Sequence, residues 1–228
     1  MLSDRMEKLP LGDGRAGPLT EAEELVAMAR KMLAMGLVTG TSGNLSVRGE
    51  GVVLITPSGV DYETMRPEDL VAVNLDGSVV TPGTKPSVDT MSHVAIYRAR
   101  PDVGAIIHTH SPHAAAFSTL GREIPPLITE AAGFLGGAVR VMDYLPPASP
   151  EHGHRAAEGL GADRAVLLPN HGVIATGETA RKAFHAAVAV EESAQIAFLA
   201  LQLGTPSLVP ADEIARMNDF IHHRYGKS

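Results

Sequence analysis

No cysteine occurs anywhere in the 228 residues, which excludes a disulfide framework and a thiolate metal site together. Basic runs are absent too, and the formal net charge is −7 with histidine neutral. Broad electrostatic binding to nucleic acid or to an anionic membrane surface is therefore disfavoured. A small anion is not excluded, because backbone amides bind one locally. No apolar run approaches bilayer length, and the longest stretches, such as Val103–Ile107, suit buried strands. The N-terminal MLSDRMEKLPLGDG has no apolar core and does not read as a secretory signal. The expectation is a cytoplasmic protein without membrane or nucleic-acid partners.

What is present reads as one α/β domain, residues 20–228, preceded by a loose arm over residues 1–19. Thr20 and Glu23 predict a capping box, Leu25, Met28, Ala29, Met32 and Leu33 recur at helical spacing, and Gly36 stops the run. Short β-rich pieces punctuated by glycine follow, then a hairpin from Leu70–Leu75 through Asp76-Gly77 to Val79-Val80. A helix is expected from KPSVDT to about Arg100, a strand at VGAIIHTH, a short helix at SPHAAAFSTLG, and a strand pair on either side of PNHG. An Ala-rich helix from Glu178 to about Leu203 and a last helix toward Tyr225 complete the chain. Strands interleaved with helices imply a sheet covered on both faces.

Three segments carry chemistry. In His108-Thr109-His110, residues two apart on a strand share a face, so both imidazoles can meet one ion. A third histidine, His171, sits in the turn Asn170-His171-Gly172 between two apolar β segments. Three histidines with an open position would make a catalytic metal site. On local spacing alone, a ligand set and ordinary half-buried or turn histidines fit equally well. GTSGNLSVR, residues 40–48, exposes amides suited to a phosphate, and TPSG at 56–59 and KPS at 85–87 add two small hydroxyl turns, but a plain Gly-rich turn is the commoner case. Asp89, at the start of a helix, reads first as an N-terminal carboxylate, and second as a metal ligand or general base.

The ordered segments GTSGNLSVR, ITPSG, KPSVDTMSHVAIYRARPDVGAIIHTHSP and LLPNHGVIATG resemble the class II aldolase/adducin family, which includes L-fuculose phosphate aldolase and L-ribulose-5-phosphate 4-epimerase. The likeness spans roughly residues 20–226. It implies a three-layer α/β/α sandwich around a mixed, mostly antiparallel sheet, and a fourfold homotetramer. It further implies that His108, His110 and His171 bind zinc, with Asp89 touching the metal and acting as acid/base. Mn2+, Co2+ or Fe2+ suit the same ligand types. Thr41, Gly43, Asn44, Ser58, Gly59 and Ser87 match the phosphate pocket, and Tyr225 matches a tail tyrosine that closes the site. The implied reaction is metal-stabilised enediolate chemistry: cleavage of a short ketose 1-phosphate to dihydroxyacetone phosphate and an aldehyde.

Departures from the family pattern keep other readings open. Sugar-phosphate aldolases usually carry Glu at the position of Asp89, and Asp is the epimerase-like choice. The second acid of the epimerases falls near Ala132-Gly133, where no acid stands, which disfavours epimerisation unless Glu130 substitutes. Thr129 replaces an aldolase tyrosine, and Val88 replaces a phosphate-pocket serine. These differences leave room for a metal-dependent decarboxylase of a 3-oxo acid. An adducin-like binding module is disfavoured because the three histidines and Asp89 are all retained. His93 and His185 are expected to pack within helices, His152 and His154 to face solvent, and His113 to lie near the metal strand.

Overall fold

The computed structural model describes residues 20–147 and 149–225; the expected N-terminal arm, residues 1–19, lies outside them. Helix α1 (Glu21–Ala34) starts at the predicted capping box. The Glu23 amide donates to Thr20 Oγ1 at 3.2 Å and the Thr20 amide to Glu23 Oε2 at 2.8 Å, so two of the helix's orphan donors are satisfied reciprocally. Leu25, Val26, Met28, Ala29 and Met32 form its buried stripe.

Six strands follow: β1 (Asn44–Arg48), β2 (Val52–Ile55), β3 (Val71–Asn74), β4 (Ala105–Thr109), β5 (Ala165–Leu168) and β6 (Gly172–Gly177). They build one sheet in the order β3-β2-β1-β4-β6-β5, antiparallel at every strand pair. A parallel contact occurs outside the ladders, at the isolated bridge Val141↔Leu167. The predicted hairpin after β3 is present as the bridge Val73↔Val79 across the turn at Gly77. The intervening helices are α2 (Thr90–Ala99), α3 (Pro112–Thr119), α4 (Thr129–Leu135), α5 (Pro150–Leu160), α6 (Ala180–Leu203) and α7 (Ala211–His223).

Alternation along each strand divides the core in two. Leu45, Val47, Ala105, Ile107, Leu167, Val173 and Ala175 face α1, α3 and α6, whereas Val53, Ile55, Ile106, Val166 and Ile174 face α2 and α5. This is the expected α/β/α sandwich. Helix α6, at 24 residues and a mean hydropathy of 1.3, is long and apolar enough to cross a bilayer by length and composition, which corrects the sequence-based view that no such segment exists. Interspersed Lys182, Glu191 and Glu192 hid it. In the fold its Ala180, Ala183, Phe184, Ala187, Val190 and Ala194 are buried and the helix packs on β4 and β6, while Phe198, Leu199 and Leu203 stay exposed, as on a helix that covers a sheet with one face.

Candidate metal centre and active site

The sheet register assembles the site. His108, the fourth residue of β4, pairs with Asn44 on β1 and Ile174 on β6. His110 follows the end of the strand, and His171 projects from the three-residue connection between β5 and β6. That connection turns at Asn170, whose φ of 55° is the left-handed conformation that asparagine tolerates. His108 Nε2 stands 3.0 Å from His110 Nε2 and 3.2 Å from His171 Nε2. Gly172 makes the convergence possible: a Cβ there would lie 2.1 Å from the Thr109 carbonyl oxygen and close on the His110 and His108 rings.

Protonation decides what the cluster can do. His108 Nδ1 lies 2.9 Å from the Val173 carbonyl oxygen, so Nδ1 carries the proton and donates, and Nε2 presents its lone pair. Burial pulls the His108 pKa down to about 3 and lowers His110 and His171 as well. Three neutral imidazoles thus converge, and His108 Nε2, with no hydrogen to give, can accept from only one neighbour. Tetrahedral ligands about 2.0–2.1 Å from zinc sit roughly 3.3–3.4 Å apart, close to the two separations here. The donor set therefore fits a divalent ion, and imidazole nitrogen suits zinc, cobalt, iron or manganese.

Asp89 completes the surroundings. It occupies the N-cap of α2, yet its side chain makes no capping bond, contrary to its simplest sequence reading. Instead Asn44 Nδ2 donates to Asp89 Oδ2 at 2.7 Å, and that oxygen lies 3.9 Å from His108 Nε2. Burial opposes charge on this carboxyl and the Asn44 amide that donates to it favours the charged form; the balance among the surrounding histidine rings lies below the ordinary carboxylate range. Asp89 Oδ1, Asn44 Oδ1 and His171 Nδ1 are buried without hydrogen-bond partners. The unmatched Asp89 and Asn44 oxygens beside converging lone pairs are costly in an empty core and are explained by a bound ligand.

The three small-residue turns lie side by side. The Ser58 amide donates to the Lys85 carbonyl and the Ser87 amide to the Thr56 carbonyl, so TPSG and KPS run together. Thr56 Oγ1 accepts from the Leu45 amide at 3.2 Å, and Tyr62 OH donates to the Gly43 carbonyl at 2.6 Å, which ties the first turn to the second. Gly43 has φ 73° and its missing Cβ would meet the His108 carbonyl oxygen at 2.6 Å, so no other residue fits. Thr41, Ser58 and Gly59 are exposed, and Ser87 is buried. Tyr225 is not brought to this cluster within the chain: it packs on Phe220 beyond α7, and the neighbouring His222 meets Arg164 at the opposite end of the sheet.

Two features escaped sequence reasoning. His152 was expected to face solvent but is only 2% exposed, with its ring 6.1 Å from that of His171. The signal was Gly153 inside a helix, a mark of close backbone approach. Glu191, from α6, accepts from the His113 and Ala114 amides and pairs with His113 Nδ1 at 2.8 Å. It thereby caps α3, the helix that begins two residues after His110.

Residues 23–198 match the family described as Class II Aldolase and Adducin N-terminal domain. The chain belongs to the class II aldolase/adducin family. It is 41% identical over 199 residues to 5-deoxy-D-ribulose 1-phosphate aldolase of Bacillus thuringiensis serovar kurstaki, covering 86% of this chain and 93% of that one. It is 38% identical over 204 residues to an L-ribulose-5-phosphate 4-epimerase of Salmonella paratyphi C, covering 84% and 89%. Among solved structures, an L-fuculose 1-phosphate aldolase superposes with a TM-score of 0.85 at 32% identity, over 90% of this chain and 97% of that one. This class II aldolase/adducin member thus has both phosphosugar aldolases and epimerases among its relatives. Its segment TEAAGFLGG folds as α4 beneath α7, where a Cβ on Gly133 would lie 2.5 Å from Met217 Cγ. Packing, not chemistry, sets that position, and a longer acidic side chain has no room there.

Proposed function

We propose that this family member is a zinc-dependent aldolase that cleaves a short ketose 1-phosphate to dihydroxyacetone phosphate and an aldehyde. The observation that carries the reading is the convergence of the His108, His110 and His171 Nε2 atoms beside the Asp89 carboxylate. The relative named for 5-deoxy-D-ribulose 1-phosphate supports a substrate with a short, deoxygenated tail. The epimerase relative offers a second activity, but Ala132 and Gly133 are buried and carry no acid.

A divalent ion held by the three histidines supplies Lewis-acid stabilisation of negative charge on substrate oxygens, worth several kcal/mol of barrier. The chain's own residues do the rest. Asp89, oriented through Oδ2 by Asn44, keeps Oδ1 free of protein partners; it can take up a proton as the departing fragment's hydroxyl becomes the aldehyde carbonyl and deliver one to the carbon that the broken bond releases. The turns bearing Thr41, Gly43, Asn44, Ser58, Gly59 and Ser87 bind the phosphate through amides and hydroxyls, and Val88, exposed beside them, leaves that grip one hydroxyl short. Tyr225 reaches a site only from a neighbouring subunit. Exposed Phe198, Leu199 and Leu203 on α6 form an apolar surface of the kind that subunit contact covers, in keeping with the homotetramer that the family likeness implies. The test is dihydroxyacetone phosphate release from a panel of ketose 1-phosphates, with and without chelator. Chelator-sensitive release from a 5-deoxypentulose 1-phosphate is expected; silence across the panel from metal-loaded protein would refute the assignment.

A further inference from the structure

A metal-bound imidazole almost always donates its remaining N–H to an acceptor, which fixes the ring's tautomer and its aim. His108 obeys this through the Val173 carbonyl. His171 does not: its Nδ1 is buried and has no partner. Beyond the other two ligand rings, a further buried histidine, His152, has its ring 6.1 Å from that of His171.

Its placement is tightly determined. The His152 amide donates to Ser149 Oγ, the N-cap of α5, at 3.3 Å. Gly153 then lets α5 lie directly on α2, since a Cβ there would stand 2.9 Å from Met91 O, Ser92 Cα and Ala95 Cβ. Any side chain at 153 would lift the helix and carry His152 away with it. Ser92, one turn beyond Asp89 on α2, holds the ring in turn, with Oγ 3.0 Å from His152 Nδ1. A histidine 2% exposed, clamped from two helices and 6.1 Å from the His171 ring, is placed for a task that surface solvation cannot explain.

We propose that His152 is a positioning residue for His171. Its Nδ1–H donates to Ser92 Oγ, which leaves Nε2 as the acceptor. One ordered water, a bridge suited to a polar span too long for direct contact, accepts the Nδ1–H of His171 and donates its own O–H to His152 Nε2. The chain Ser92–His152–water–His171 then holds His171 Nε2 on the ion. This rests on the metal site proposed above but not on which substrate is cleaved.

The test is metal affinity, read by competition of Zn2+ and Co2+ against a chromophoric chelator, with the visible spectrum of the Co2+-loaded protein as a second readout. His152→Leu should bind about 10–100-fold more weakly, the usual cost of losing such an outer partner, and should shift the Co2+ bands. His152→Gln, whose amide oxygen can take the same bond, should recover most of the affinity, and Ser92→Ala should fall between them. Thermal melting of the metal-free proteins separates misfolding from lost positioning, and His152→Gln with Ser92→Ala decide the matter where His152→Leu does not fold. Wild-type affinity and spectrum in His152→Leu, or in both other variants, would overturn the proposal. Weakened binding alongside silence toward every ketose 1-phosphate would sink the aldolase reading and leave this one standing. A wild-type chain that binds neither ion would sink both.

Discussion

Replacing Gly172 with alanine tests the geometry of the site without touching a ligand. The new methyl would lie 2.1 Å from the Thr109 carbonyl oxygen, 3.1 Å from His110 Cδ2 and 3.2 Å from His108 Cε1. Non-bonded carbon contacts settle near 3.5–4.0 Å, so the first contact must open by more than about 1 Å. The obstacle is a backbone carbonyl beside the Thr109↔Val173 pair, and no side-chain rotation relieves it. The two strands must part where all three histidines meet. Overpacking of this kind costs about 1–3 kcal/mol, and for a chain this long each kcal/mol lowers Tm by about 2–4 °C. Displaced ligands should cost more than that in metal affinity, since sites tolerate only about 0.5 Å of error. Calorimetry of metal-free protein and chelator competition measure the two effects separately. An alanine variant with wild-type Tm and metal affinity would show that β4 and β6 do not approach as described, and the argument for the histidine cluster would lose its support.

Other expectations follow from the same site. Alanine at His108 or His171 removes a ligand, so bound metal and activity should fall together; full activity in a metal-free variant would remove zinc from the assignment. Asp89→Asn should cut kcat far more than it weakens metal binding, and an unchanged kcat would take Asp89 out of proton transfer. Acid should destabilise the fold through His93, whose buried ring is pulled down to about 4. Because the unfolded chain takes up that proton below about 6.5 and the folded chain does not, stability should be full above that pH. It should fall by on the order of 3 kcal/mol as pH drops from about 6.5 to 4; urea midpoints on the metal-loaded protein that stay level across this window would contradict it.

Much of this was legible in the residues because the signals are local. Thr20 and Glu23 are three apart and form their box as read; His108 and His110 share a strand face by period alone. What could not be read depends on partners far away in sequence. Asp89 looks like a helix cap until Asn44, 45 residues earlier, is placed across from it by the β1–β4 register. His152 looks solvated because its neighbours Glu151 and His154 are, and only the α2–α5 contact at Gly153 buries it. Helix α6 hid its apolar length because scattered charges interrupt the run while leaving one face unbroken. The three turns were each recognisable, but their adjacency rests on hydrogen bonds that no spacing rule encodes.

The pairing of Asn44 with His108 limits how this protein can vary. A strand works as a ruler with two-residue markings, and shifting it by one residue turns every side chain over. An inserted or deleted residue within β1 would throw Asn44 to the opposite face and leave Asp89 without its amide. Length changes upstream of Gly43 meet no such gauge, because Gly40 has open space around it and Thr41 is exposed. Engineers should therefore treat the strand as fixed in count, and expect length changes in the turn before it to act on phosphate binding through Thr41 and Gly43 rather than on the sheet register.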